Sequence, residues 1–344
     1  MSDPSSAKET SALKVVMGAM TFGAEGYEMS RVHKLEDVKA ILDAFQGHGH
    51  DEVDTARIYG GGTSEEYLAK SDWQKRKIKI ATKLYPLPAS HPISLGVEMS
   101  HKPEDLRKYL QISLKALNAK KIDLWYLHGP DRFSGTSFED ILRTVNDLYK
   151  EGYFYRFGVS NYPSWEVAEM VSICRANGWI QPTVYQGIYN AVHRVIEPEL
   201  LPCLRKFGIS FYVYSPLGGG FFTGSIPKDD TEVEAGSRFD PNRVQGQNYR
   251  ARYWNESYFK AIEIIQKVSQ KYELTMAEVA LRWLSHHSAL KREFGDAVII
   301  GASSLKHTEA NLVDLEKSPL PEEVVQRLDD AWDLVKAVAK PYAH

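Results

Sequence analysis

The sequence has little cysteine, no long apolar run and no excess of either charge. Cys174 and Cys203 are the only cysteines in 344 residues, and neither sits in a CxxC or metal-binding spacing, so two reduced, packed thiols are expected. No stretch approaches the roughly 20 apolar residues that cross a bilayer, and the polar start MSDPSSAKETSA lacks the apolar core of a secretion signal. The reading is a cytoplasmic protein without a membrane partner. A net charge of −3 with no basic run removes the electrostatic footprint of nucleic-acid binding. No GxGxxG follows a strand-like segment, and no GK[ST] follows the glycine triplets at 60–62 and 218–220, so neither a Rossmann nor a Walker phosphate loop is expected. His48 with His50 and His286 with His287 lack the HExxH spacing of a zinc helix. No metal is expected.

What is present is an ordinary globular balance, 43% apolar and 25% charged, with enough apolar residues for a large core. Short apolar runs end one after another on polar or small residues: Asp54 in DEVDTARIY, Lys83 in IKIATK, His128 in IDLWYLH, Ser160 and Asn161 in FYRFGVSN, Gln186 in PTVYQ, Ser215 in FYVYS, and Gly301 in DAVIIG. Helical patterns follow at 35–45, 64–70, 103–117, 137–151, 164–177, 197–207 and 305–316, several closed by Gly at 152, 178 and 208. This alternation predicts an α/β fold, and eight units predict closure into a (β/α)8 barrel. Such a barrel spans this length as one domain, 13–344, behind a flexible tail, 1–12. A long loop is expected at 217–254 after strand seven, then extra helices at 258–271 and 276–287 and a terminal helix at 321–338 packing across the barrel. All the polar strand ends then meet on one rim, where barrels of this kind place their chemistry.

Asp54, Tyr59, Lys83 and His128 together supply a proton-transfer unit. A tyrosine, with an ordinary pKa of about 10, is a poor acid near neutrality and needs help to protonate a carbonyl oxygen. A lysine ammonium at ~4 Å stabilises the phenolate by ~4 kcal/mol at an effective dielectric of ~20. Asp54 beside Lys83 keeps the lysine charged while offsetting part of that effect, and His128 is placed to orient the carbonyl.

DTARIYGGGTSEE, IATK, DLWYLHGPD, GVSNY, VYQGIYN, YSPLGGG and IIGASSLKHTEAN, in this order and spacing, resemble the aldo-keto reductase superfamily. NYPSWEVAEMVSICRANGWIQPTVYQGIYNAV, ELLPCLRKFGISFY and YRARYW are similar to the aflatoxin aldehyde reductase subgroup, which includes succinic semialdehyde reductases. The resemblance implies NADPH-dependent (NADPH/NADP+) reduction of an aldehyde or ketone, with Tyr59 as general acid, Lys83 and Asp54 tuning it and His128 positioning the carbonyl. It implies that Ser160, Asn161 and Gln186 hold the nicotinamide carboxamide and that Tyr214 stacks on the ring. Ser215, Leu217 and Gly219 would line the pyrophosphate, Arg238 the 2′-phosphate, and Gly301, Ser303, His307 and Asn311 the adenosine phosphate. Two other readings share this barrel: a regulatory subunit like the β subunits of potassium channels, and an aryl-alcohol dehydrogenase working oxidatively. The subgroup suggests a homodimer.

Departures from the family pattern carry expectations of their own. His307 stands where Gln or Arg is usual, and Gly129 where the subgroup has a larger side chain, implying a roomier pocket. Phe22, Tyr27, Tyr253 and Trp254 are the aromatic candidates for its wall. The chain ends in PYAH without the arginine that anchors a substrate carboxylate in the succinic semialdehyde reductases, so a preference for uncharged or aromatic aldehydes is expected unless Arg57, Arg250 or Arg252 turns inward.

Overall fold

The structure, a computed structural model, describes residues 10–224, 226, 233–301 and 303–343. Eight strands, β1 (Lys14–Gly18), β2 (Glu52–Asp54), β3 (Lys79–Leu84), β4 (Ile122–Leu127), β5 (Phe154–Ser160), β6 (Val184–Ile188), β7 (Ser210–Tyr214) and β8 (Ala297–Gly301), form a closed barrel. Every pairing is parallel, and β8 returns to β1 with Lys14 opposite Ala297 and Gly18 opposite Gly301. This is the (β/α)8 architecture that the alternation predicts.

The period of two along each strand divides the side chains between two cores. Val15, Met17, Val53, Ile80 and Phe157 face the helix layer, whereas Val16, Ala81, Leu124, Tyr126, Val184 and Ala297 fill the barrel. Tyr126 fits inside because Gly158 faces it: a Cβ there would lie 2.5 Å from the tyrosine ring. Below this apolar layer Glu52, fully buried, pairs with Lys14 and with Arg156, the latter at 3.0 Å. That ionic plug closes the barrel at the end opposite the polar strand termini.

The helices α1 (Leu35–Gly47), α2 (Thr63–Lys70), α3 (Pro103–Ala116), α4 (Phe138–Lys150), α5 (Ser164–Asn177) and α6 (Leu200–Phe207) follow the first six strands. Gly178 and Gly208 end α5 and α6 in the left-handed region, φ 65° and 70°, which glycine enters without steric cost. Between β7 and β8 lie α7 (Val244–Tyr253), α8 (Glu256–Lys271) and α9 (Met276–His286), and α10 (Leu305–Glu316) and α11 (Glu322–Val335) complete the chain. Among the described residues no helix is long and apolar enough to cross a membrane.

Four expectations are corrected. The segment 217–254 is not a continuous loop: it contains turns at Gly218–Thr223 and the helix α7. VQGQNYRARY has too few apolar residues to show a helical stripe, and tertiary contacts hold it instead. Arg250 Nε donates to the Phe239 carbonyl at 2.6 Å, and Gly246 passes so close to Asp240 that a Cβ would meet its carbonyl at 1.8 Å. Helix α11 packs against α8 rather than across the barrel. Strand β6 runs two residues beyond Gln186, so that side chain points into the barrel from within a strand. The N-terminal tail lies mostly outside the described residues, but Ser11 is buried and its carbonyl accepts from Arg292 Nη1 at 2.9 Å; anchoring therefore begins before residue 13.

Two fully buried histidines tie the fold to pH. Burial pushes His101 down to about 4 and His193 down to about 3, with Arg252 adding to the effect on His193. Below about pH 6.5 the unfolded chain takes up these protons and the folded one does not, so each histidine removes up to ~1.4 kcal/mol of stability per pH unit down to its folded pKa. Urea midpoints at pH 7 and 4.5 are expected to fall less steeply in His101→Gln and His193→Gln than in the wild type; parallel slopes would refute the assignment.

Candidate active site

At the rim, β2 delivers Asp54 and β3 delivers Lys83 on their inward faces. Lys83 is fully buried, and its Nζ donates to Asp54 Oδ2 at 2.5 Å and to the Thr55 carbonyl at 2.7 Å. Asp54 Oδ1 accepts from Gln186 Nε2 at 2.9 Å. Burial lowers the Lys83 pKa and raises that of Asp54, and in each case the partner's charge opposes the change. A buried pair held this way loses far more from removal of one member than an exposed pair does.

Tyr59 arrives on the turn that follows β2. Its three glycines adopt φ of 56°, 62° and 97°, and at Gly62 a Cβ would fall 1.3 Å from Arg57 Nη2; YGGG is therefore what lets the chain reverse here. The Tyr59 ring centroid lies 5.0 Å from Lys83 Nζ and 5.7 Å from the His128 ring, which it meets edge-on. The His128 backbone continues the β3–β4 ladder by donating to the Leu84 carbonyl at 2.9 Å. The structure thus gathers Asp54, Tyr59, Lys83 and His128 at one place. It differs from the sequence expectation in the balance of forces on the phenol. Burial raises the Tyr59 pKa well above its ordinary value, and the Asp54 charge raises it further, so the group is fully protonated at neutral pH.

The residues expected around the cofactor divide into satisfied and open groups. Asn161, left-handed at φ 65°, donates to the His128 carbonyl at 2.9 Å and accepts from the Tyr214 hydroxyl at 2.9 Å. It bridges the ends of β4, β5 and β7. Ser160 Oγ is fully buried without a hydrogen-bond partner among the described residues, an orphan that fits an amide-bearing ligand, since burial without a partner costs about 1–3 kcal/mol. Ser215, also left-handed at φ 56°, shares a 2.8 Å hydrogen bond with the Tyr249 hydroxyl, and a Cβ on Gly219 would strike that same ring at 2.2 Å. Leu217 is partly exposed beside them. Arg238 stacks over Tyr249 at 5.7 Å, and its Nη2 lies 3.4 Å from where a Gly301 Cβ would be. At the start of α10, Ser303 Oγ and His307 Nδ1 are 3.1 Å apart, and Asn311 follows one turn later, only 6% exposed and with no side-chain partner among the described residues.

A cleft of about 280 Å³ continues from Arg238 to the loop after β1, lined among others by Tyr27, Ser30, Arg31, Arg243 and Gln245. Glu28 accepts from the Gln245 backbone at 3.1 Å, and Arg31 donates to the Gly236 carbonyl at 3.0 Å. These clasps, and Tyr249, escaped the sequence reading because their partners are more than 200 residues apart or lie on a helix without a stripe.

The expected substrate wall needs correction. Phe22 and Tyr253 are fully buried; Tyr253 sits among Phe221 and Tyr258 with its hydroxyl accepting from Asn190, so neither has a face to offer. Trp254 packs on Phe259 and under Arg250. Tyr27 remains 39% exposed and leans on Gly61. Gly129 does not leave open space: a Cβ there would meet Tyr85 at 3.1 Å. Among the arginines, Arg57 pairs with buried Glu65, while Arg252 is partly buried close enough to Tyr214, Tyr249 and Tyr253 for its charge to act on them and pairs with no carboxylate among the described residues.

A model of the Aldo/keto reductase family matches residues 14–333. The chain is 46% identical to "Aldo-keto reductase pigE" of Monascus ruber over 96% of its own length and 97% of the relative's. It is 43% identical to "Aflatoxin B1 aldehyde reductase member 2" of Mus musculus, covering 90% and 83%, and 41% identical to "Aldo-keto reductase family 7 member A3" of Homo sapiens, covering 93% and 94%.

Proposed function

Because the chain belongs to the aldo/keto reductase family, we propose that it reduces an aldehyde or ketone to the alcohol with NADPH, Tyr59 serving as general acid. The observation that carries this reading is the fully buried Lys83, pinned by Asp54 and Thr55 with its ammonium 5.0 Å from the Tyr59 ring. NADPH, when bound, supplies hydride to the carbonyl carbon. Tyr59 donates its phenolic proton to the carbonyl oxygen as negative charge develops there, a contribution of typically 10²- to 10⁴-fold. Lys83 stabilises the resulting phenolate, and Asp54 with Gln186 holds Lys83 in place. His128 presents its imidazole beside Tyr59 to orient the carbonyl. Ser160, whose hydroxyl has no partner among the described residues, would hold the carboxamide together with Gln186 and Asn161, and Tyr214 would hold the nicotinamide. Ser215, Leu217, Gly219 and Arg238 would hold the phosphates, and Gly301, Ser303, His307 and Asn311 the adenosine end, where the start of α10 would add a favourable dipole.

The reading is tested by following NADPH consumption against a panel of aldehydes and ketones and identifying the alcohol formed. Consumption without alcohol, or none with any carbonyl, defeats it. Cofactor choice has its own test. Arg238 is partly exposed and suited to a bidentate phosphate contact, so Arg238→Ala is expected to weaken NADPH binding by about tenfold, the low end for a charged hydrogen bond, and NADH binding by less than about twofold. Dissociation constants from fluorescence quenching check this; equal weakening of both cofactors would place Arg238 elsewhere.

A further inference from the structure

Tyr85 is absent from the set of residues that the sequence singles out, yet it stands at the centre of the site. The β3–β4 register aligns Lys83 with Tyr126 and Leu84 with Leu127, so the next step of the ladder sets Tyr85 beside His128. Their rings meet edge-on at 5.2 Å and 90°. Tyr59 meets the same imidazole edge-on at 5.7 Å. His128 is therefore flanked by two phenol rings, one on the turn after β2 and one just past β3. Tyr85 is only partly exposed, and Pro86 restricts its backbone to extended geometry. Its ring edge lies against the backbone of Gly129, where a Cβ would approach Cε2 to 3.1 Å and Cδ2 to 3.6 Å. A side chain at 129 must push the ring away from that seat.

We propose that Tyr85 is a specificity-determining wall of the carbonyl pocket, and that Gly129 lets its ring lie back far enough for a flat substrate to pack on it. The inference rests on the reductase reading above. A carbonyl oxygen held between Tyr59 and His128 brings the substituent on its carbon against the third ring of this row. The aromatic surface of Tyr85 then favours flat, aromatic aldehydes, which pack offset or edge-to-face on a phenol. A larger residue at 129 tips the ring into the space such substrates need and leaves room for short aliphatic ones. Gly129 and Tyr85 thus act as one unit on substrate size.

The test is a double-mutant cycle with purified full-length protein at saturating NADPH, comparing kcat/KM for 4-nitrobenzaldehyde and propanal in Gly129→Val, Tyr85→Ala and the double variant, with Tyr85→Phe as the conservative control. Gly129→Val is expected to lower kcat/KM for the aromatic substrate about tenfold or more, mainly through KM, the size of effect that one or two misplaced carbons exert in a pocket. Propanal should change by less than about twofold. In the Tyr85→Ala background the valine penalty should disappear, whereas in the Tyr85→Phe background, which keeps the ring, it should persist. The inference is overturned by an equal valine penalty with and without Tyr85, or by equal losses on both substrates. Circular dichroism separates these outcomes from misfolding, and should Gly129→Val not fold, Gly129→Ala with the same cycle takes its place. No turnover of any carbonyl by the wild type overturns the reductase reading and this inference together; turnover with independent effects overturns this inference alone.

Discussion

Tyr59→Phe is expected to lower kcat for carbonyl reduction by roughly 10²- to 10⁴-fold while leaving the dissociation constant of NADPH unchanged. The substitution keeps the ring that packs against Lys83 and His128 and removes only the oxygen that carries the proton. The direction of the Tyr59 pKa sharpens the expectation. Burial and Asp54 raise it, so the wild-type phenol is protonated across the neutral range and the loss should be the same at pH 6 and pH 8. Were the phenol instead depressed to neutrality, the wild-type rate would fall between those values and the apparent cost of the substitution would shrink with pH. Lys83 matters later along the reaction coordinate: its charge has little to act on until the proton leaves, which is when differential stabilisation accelerates a step. Steady-state rates with a saturating aldehyde, together with NADPH titrations by fluorescence, measure both quantities. A variant that retains near-wild-type turnover removes Tyr59 from the chemistry.

The barrel and its rim were legible because period-two alternation and strand-end chemistry are local signals. Asp54, Lys83 and His128 each close an apolar run, and closure of eight such runs leaves them no other meeting place. Helix α7 was hidden because a polar helix stabilised by tertiary contacts has no stripe to read. Tyr253 looked like a wall residue since aromatics on a rim segment often face a ligand, but Asn190 and the Phe221–Tyr258 cluster give its hydroxyl and ring partners inside. Gly129 was read as space. A missing side chain predicts room only if nothing nearby can enter it, and Tyr85 does. That residue was within reach of the alternation argument, since it lies two positions after Lys83 and so shares its face.

Arg252→Ala is expected to cut kcat/KM for succinic semialdehyde by about 10- to 100-fold, the worth of a charged hydrogen bond of ~1.5–3 kcal/mol, while 4-nitrobenzaldehyde changes by less than about threefold. This takes the exception attached to the PYAH expectation, an arginine turned inward in place of the terminal one. Helix α7 is the reason: it carries Tyr249, Arg252 and Tyr253 together, and with Tyr253 locked in the core the next side chain around is turned toward β7. There its charge acts on the Tyr214 phenol, whose hydroxyl donates to Asn161. Tyr249 and Tyr253 lie close by, and no carboxylate among the described residues neutralises it. A partly buried cation with only phenols around it is poorly compensated, and a substrate carboxylate is the partner it lacks. Its charge also depresses His193, so that histidine cannot take the cation's place at neutral pH. The comparison needs both substrates at the same NADPH concentration. Equal losses on the charged and the neutral aldehyde would mean that Arg252 only holds Tyr214 in position, and an unchanged preference would return the pocket to uncharged substrates.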